Sequence, residues 1–266
     1  MAALISVLAI LLCAVNGCSQ GALHTEFSLN EAGLTALISG LPADARGKIL
    51  AKPQVFLGLM AKTLDEPQDI LRLVDKQNPL PEDYAPQDRV TLDRYRLTLA
   101  KTDLSLSLVP IPDLLEMSRQ ADAQGVTLSV SSAYRSYAIQ TMLYENALKT
   151  QSREEVEREL APPGHSQHQL GTTIDFDPIH AGFADTPAAH WLSANAWKYG
   201  FSLSFPEGRE KETGYSYEPW HYRYVGRPAA QVIHDFFGGS QQQFLVFYAQ
   251  KYAAFAAARV SAGGAS

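Results

Sequence analysis

The stretch P-G-H-S-Q-H-Q-L-G-T-T-I-D-F-D, residues 163–177, decides how the rest of this chain is read. Pro163 and Gly164 break the pattern before it, Gly171 permits a turn, and the β-branched run from Thr172 to Ile174 predicts a strand entering Asp175. A loop turning into a strand can bring the imidazole of His168 and the carboxylate of Asp175 to one point. Both are donors that zinc accepts. Two donors do not complete a site. Farther along, Glu218-Pro219-Trp220-His221 adds a second imidazole with a carboxylate three residues before it.

Working outward, the composition bounds the answer. With 266 residues, 46% of them hydrophobic and 19% charged, the chain can bury a substantial core, and disorder is excluded. The net charge of -6 and the lack of any Lys/Arg cluster interleaved with aromatics exclude a nucleic-acid partner. Residues 1–15 are an uncharged apolar run, too short to span a bilayer, followed by Asn16-Gly17-Cys18-Ser19. That pattern predicts an exported chain, and Val15-Asn16-Gly17-Cys18 resembles a bacterial lipobox. Lipidation of Cys18 would anchor the protein to a membrane surface, with localisation in the cell envelope. Cys13 lies within the apolar run, so no second thiol remains for an intramolecular disulfide, and a metal must be held by His and carboxylate ligands alone.

Residues 26–73 carry a modestly amphipathic helical pattern and no visible chemistry, which predicts an N-terminal extension serving as spacer or docking surface. Residues 78–86 hold three prolines and are expected to wrap the next domain in extended form. Helices are predicted over 111–124, 138–149, 153–160, 188–199, 231–237 and 242–258, and strands over 126–131, 172–176, 201–205 and 220–225. Elements interleaved without regular βαβ periodicity favour α+β, a small antiparallel sheet flanked by helices and carrying a single zinc site. The expected divisions are 1–18 signal peptide, 19–73 extension, 74–237 catalytic domain, and 238–266 C-terminal helix and tail.

Ser166-x-His168-x-x-Gly171-x-x-x-Asp175, followed by Glu218-x-x-His221 within P-W-H-Y-R-Y-V-G, resembles the VanY-type D-alanyl-D-alanine carboxypeptidases. The likeness extends upstream through Asn78-Pro79-Leu80-Pro81 and Ser132-Ala133-Tyr134-Arg135-Ser136. It implies one Zn2+ held by His168, Asp175 and His221 with an open position, Glu218 as catalytic base, and Arg135 stabilising the tetrahedral intermediate. It also implies pocket contacts from Ser166, Tyr134 and Gln140, and peptidoglycan stem peptides as substrate. Gln167 stands where many relatives have Glu, a departure expected to touch substrate preference and leave the ligands unaffected.

Rival readings follow from the same residues. Asp177 would share a strand face with Asp175, as a competing ligand or a partner behind it. His165 is expected at the rim, and His180, His190 and His234 in capping, surface or packing roles. A serine hydrolase is disfavoured because Ser166 and His168, two apart on an extended loop, point to opposite sides. A zinc-stabilised binding module has no need of both Glu218 and Arg135, so an enzyme is expected. Among enzymes, D,D-carboxypeptidase action leads, with L,D-carboxypeptidase or cross-link endopeptidase action on the same site as alternatives.

Overall fold

The computed structural model describes residues 21–260. The proposed signal and lipobox lie outside them. Seven short strands are β1 (Arg89–Thr91), β2 (Thr98–Leu99), β3 (Ser105–Ser107), β4 (Ser129–Ser132), β5 (Thr173–Phe176), β6 (Phe201–Leu203) and β7 (His221–Tyr224). β1 and β3 form a separate antiparallel ribbon, and the main sheet has the order β2-β4-β5-β7-β6. All its pairings are antiparallel except β2 with β4, so the expected antiparallel sheet carries one parallel edge strand.

Register in the centre of this sheet places the chemistry. Asp175 on β5 lies opposite His221 on β7, and Thr173 lies opposite Arg223. Alternation turns these four to one face and sends Ile174, Phe176, Tyr222 and Tyr224 to the other. There Phe176 packs edge-on to Tyr222 at 5.9 Å, and Phe201 packs on Tyr224 at 5.2 Å. A one-residue slip would drive both polar donors into that apolar layer, so burial of one face specifies the site on the other.

The helices are α1 (Glu31–Leu37), α2 (Ala43–Ala51), α3 (Pro53–Leu64), α4 (Ile111–Asp122), α5 (Tyr137–Ala147), α6 (Arg153–Glu159), α7 (Pro187–Asn195), α8 (Glu210–Thr213), α9 (Arg227–Phe236) and α10 (Gln241–Ala258). Ser136 caps α5 by accepting from the Ile139 amide, and Ser152 and Glu155 form a capping box on α6. The helix predicted from residue 231 begins instead at Arg227. Its proline, Pro228, sits in the first turn, where no amide donor is required.

The expected domain boundaries need correction. Phe56 of α3 meets Phe236 of α9 at 5.3 Å and Phe255 of α10 at 6.2 Å, and Phe27 also packs on Phe255. One continuous hydrophobic core runs from Phe27 to Phe255. The N-terminal segment is thus an integral layer and not a spacer, because its apolar face is covered by the C-terminal helices. Buried Arg223 adds a polar tie, donating through Nη2 to the carbonyls of Ile70 (2.9 Å) and Arg72 (2.7 Å). The proline-rich stretch does wrap as expected: the Leu80 amide donates to the Gly164 carbonyl, and Gln169 Nε2 donates to the Pro81 carbonyl.

Candidate active site

His168 sits in a 3-10 turn, Gln167–Leu170, capped by Ser166 Oγ, which accepts from the His168 amide. The turn closes at Gly171 with φ 71°, and a Cβ there would lie 2.6 Å from Pro86 Cγ. Only glycine permits both the left-handed backbone and this close approach. The chain then enters β5 and delivers Asp175, with His221 supplied by the neighbouring strand. His168 Nε2 lies 3.0 Å from Asp175 Oδ2, and His221 Nδ1 lies 3.1 Å from Asp175 Oδ1. All three residues are buried, and one donor atom from each falls within 4.8 Å of the others.

The remaining ring nitrogens set the orientation of these donors. His168 Nδ1 is 2.6 Å from the Ala133 carbonyl, and His221 Nε2 is 3.3 Å from Gln167 Oε1. Each oxygen accepts an N–H, so the opposite nitrogens present lone pairs to the carboxylate. Asp175 Oδ1 accordingly finds no hydrogen-bond donor despite its nearness to His221. Two imidazole lone pairs and a carboxylate converging in a buried space repel one another unless a cation lies between them. The donor set therefore fits one zinc ion, with each histidine fixed from behind by an oxygen acceptor. Gln167 belongs to this arrangement as the acceptor behind His221, and the three ligands stand as expected.

In the absence of a metal, a proton on His221 Nδ1 can serve as the cation between these groups. Burial opposes the charge on Asp175, but the two imidazoles outweigh it and hold the carboxyl far below its usual range. Burial pushes His168 below the ordinary imidazole value. It acts the same way on His221, but there the Asp175 and Glu218 carboxylates prevail and raise the group to about 9. Glu218 itself is raised, chiefly by burial.

Glu218 Oε2 lies 3.3 Å from His221 Nδ1, beside the metal position. Its amide donates to Phe205 and its carbonyl accepts from the His221 amide, so the acid stands on a turn leading into β7 and not on a helix. Arg135 Nη2 is 4.0 Å from Asp175 Oδ2. The guanidinium is held by Gln140 Oε1 at 2.9 Å and Ser132 Oγ at 3.2 Å.

The pocket contacts sort differently from expectation. Ser166 lines the cavity, as does His165. Gln140 does not: it is fully buried, with one end on Arg135 and the other donating to the Ala161 carbonyl at 2.6 Å. It is a positioning residue. Tyr134 lies outside the cavity lining and carries the Arg89 guanidinium 4.3 Å above its ring. Asp177 follows the end of β5 and is exposed, so the strand alternation that made it a rival to Asp175 has already lapsed. The cavity, about 180 Å³, also takes walls from Asp75, Tyr215 and Gln242. Sequence reasoning missed these three. Tyr215 stands three residues before Glu218, but Asp75 and Gln242 arrive only through tertiary packing.

A buried three-donor metal position with an adjacent carboxylate and a fixed guanidinium is the equipment of a metal-dependent hydrolase. The family model for VanY, D-alanyl-D-alanine carboxypeptidase, matches residues 106–227. The carboxypeptidase YodJ of Bacillus subtilis, itself assigned only provisionally, is 35% identical over 181 residues, covering 65% of this chain and 66% of that protein. Among solved structures, the LD-carboxypeptidase LdcB is 32% identical with TM-score 0.62, covering 66% of this chain and 86% of that one. A vancomycin-resistance D,D-pentapeptidase VanY variant in complex with Zn(II) is 31% identical with TM-score 0.55, covering 66% of this chain and 99% of that one. The chain belongs to the VanY-type D-alanyl-D-alanine carboxypeptidase family. It spans 66%, 61% and 63% of the length of the first three curated relatives it matches.

Proposed function

We propose that the chain is a zinc-dependent D,D-carboxypeptidase that removes the C-terminal D-alanine from peptidoglycan stem peptides. The observation that carries this reading is the placement of Glu218, 3.3 Å from His221, and Arg135, 4.0 Å from Asp175, beside one buried His/Asp/His cluster. Zinc held by His168, Asp175 and His221 supplies a Lewis acid that polarises the scissile carbonyl and lowers the pKa of water toward about 7. Glu218 takes the proton of the attacking water and returns it to the leaving amine. Burial raises its pKa above the ordinary carboxylate range, which makes it a stronger base than an exposed glutamate. Arg135, pinned by Gln140 and Ser132, offers its fork where negative charge develops on the carbonyl oxygen.

Mass spectrometry of defined pentapeptide and tetrapeptide muropeptides, with zinc and with a chelator, tests the reading. Chelator-sensitive loss of one alanine from the pentapeptide supports it. Loss only from the tetrapeptide would instead establish L,D-carboxypeptidase action, the second reading, which the likeness to LdcB favours. We further propose that the protein is exported to the cell envelope and tethered there by lipid on Cys18. The apolar run ending in Val15-Asn16-Gly17-Cys18 supports this, and labelled palmitate incorporation that survives Cys18→Ala would refute it.

A further inference from the structure

The cavity has a third histidine besides the two at the metal position. His165 lines it three residues before His168, on a turn in which its amide donates to the Pro162 carbonyl at 3.0 Å. Its Nδ1 lies 2.8 Å from the backbone carbonyl of Asp75. That carbonyl belongs to a fixed segment, because the Asp75 carboxylate accepts from the amides of Gln77 and Asn78 on one oxygen and from Gln242 Nε2 on the other. The imidazole is thus anchored on a backbone oxygen supplied from outside the family-matched stretch.

A carbonyl oxygen carries no proton, so the proton of this bond sits on Nδ1, and the neutral ring presents a bare lone pair on Nε2. His165 is half-buried, and its Nε2 has no hydrogen-bond partner among the described residues, yet this nitrogen keeps accessible surface, unlike the enclosed hydroxyl of Tyr215. Lys76, next to Asp75 in the chain, is engaged elsewhere and donates to the Glu157 carbonyl at 2.7 Å. An accessible acceptor in the cavity suits an N–H and opposes a carboxylate, which would set lone pair against lone pair. The backbone of the leaving residue has a single N–H, on the scissile amide, and that nitrogen takes the proton returned by Glu218. The backbone donors left for His165 are the amides upstream of the scissile bond.

We infer that His165 is a substrate-binding residue whose Nε2 accepts a hydrogen bond from a backbone amide of the stem peptide upstream of the scissile bond. The inference rests on the carboxypeptidase reading above. Its test compares zinc-loaded wild type with His165→Asn, whose side-chain amide can still donate to the Asp75 carbonyl while nothing replaces Nε2. Melting temperature, zinc affinity and steady-state kinetics are measured on whichever stem peptide the wild type cleaves, and on the same peptide N-methylated in turn at each amide upstream of the scissile bond. The variant should keep its melting temperature and zinc affinity and lose about tenfold in kcat/KM, mainly through KM. One N-methylation should cost the wild type about tenfold more than it costs the variant, because the variant has already lost the acceptor. Unchanged kinetics in the variant, equal N-methylation penalties in both proteins, or a loss of turnover that tracks a lowered melting temperature or zinc affinity would each overturn the inference and leave the carboxypeptidase reading standing. Absence of wild-type turnover on every stem peptide would overturn that reading, and the inference with it.

Discussion

Gln167 Oε1 stands 3.3 Å from His221 Nε2, on the opposite side of the ring from Asp175. The same oxygen accepts from Ser204 Oγ at 2.7 Å, and Gln241 of α10 joins them through Oε1, 3.3 Å from Ser204 Oγ, while its Nε2 donates to the Ser202 carbonyl. A neutral amide therefore fixes the proton on Nε2 and leaves Nδ1 free for metal. Removing an acceptor of this kind costs about 10–100-fold in metal affinity. Gln167→Ala should weaken zinc by that factor without unfolding the chain, as read by competition with a chromophoric chelator. An unchanged dissociation constant would mean that packing against Phe205, 4.7 Å away, suffices to orient the ring.

The proton on His221 makes a second prediction. In the metal-free protein its pKa is raised to about 9, against about 6.5 in an unfolded chain, because Asp175 and Glu218 outweigh the effect of burial. A group raised on folding stabilises the folded state fully below pH about 6.5, and that contribution is lost as pH rises through about 9. Asp175, with its pKa depressed, stays ionised over this whole window and contributes no slope. Zinc must displace the His221 proton, so its affinity strengthens by about tenfold per pH unit below pH 9. The melting-temperature gap between zinc-loaded and zinc-free protein should therefore widen from pH 6.5 to 9 at fixed free zinc. Calorimetry at several pH values checks it, and a constant gap would contradict the proton assignment.

Glu218 and His221 are neighbours with separable duties. Glu218→Ala should keep zinc and fold while turnover falls by about 10²–10⁴-fold, the usual contribution of a positioned base. His221→Ala should lose metal and turnover together. Metal content by atomic absorption beside muropeptide turnover separates the two outcomes. Turnover retained in Glu218→Ala would remove it from the role of base.

What could be read in advance follows from how local each signal is. His168 and Asp175 belong to one short stretch with a turn glycine and a β-branched run, and Glu218 and His221 to another, so spacing and motif carried them. The three-residue ribbon strands β1 and β3 have no length over which alternation can register, and both were missed. The expectation that Tyr134 and Gln140 line the pocket rests on the resemblance alone. Which side chain faces substrate and which braces the guanidinium depends on how α5 brings Gln140 back to Arg135, and one-dimensional spacing does not encode that. Asp75 and Gln242 lie in segments with no chemical signature and meet at the cavity only because the N-terminal and C-terminal layers share a core.

That shared core makes the last prediction. Phe56 is fully buried between Phe236 and Phe255, so truncating it removes a large apolar side chain from a site where helices of both chain ends converge. Phe56→Ala should destabilise the protein by about 3–5 kcal/mol. The loss should appear in one cooperative transition that includes the catalytic sheet, since Arg223, two residues beyond His221, is tied to the carbonyls of Ile70 and Arg72. Urea unfolding followed in parallel by helical circular dichroism and by zinc release tests this, because α1 to α3 are helical and all three tryptophans, Trp191, Trp197 and Trp220, lie in the catalytic region. Coincident midpoints, both lowered, are expected. If part of the helical signal were lost at lower urea while zinc release stayed at the wild-type midpoint, the N-terminal layer would be unfolding independently of the site.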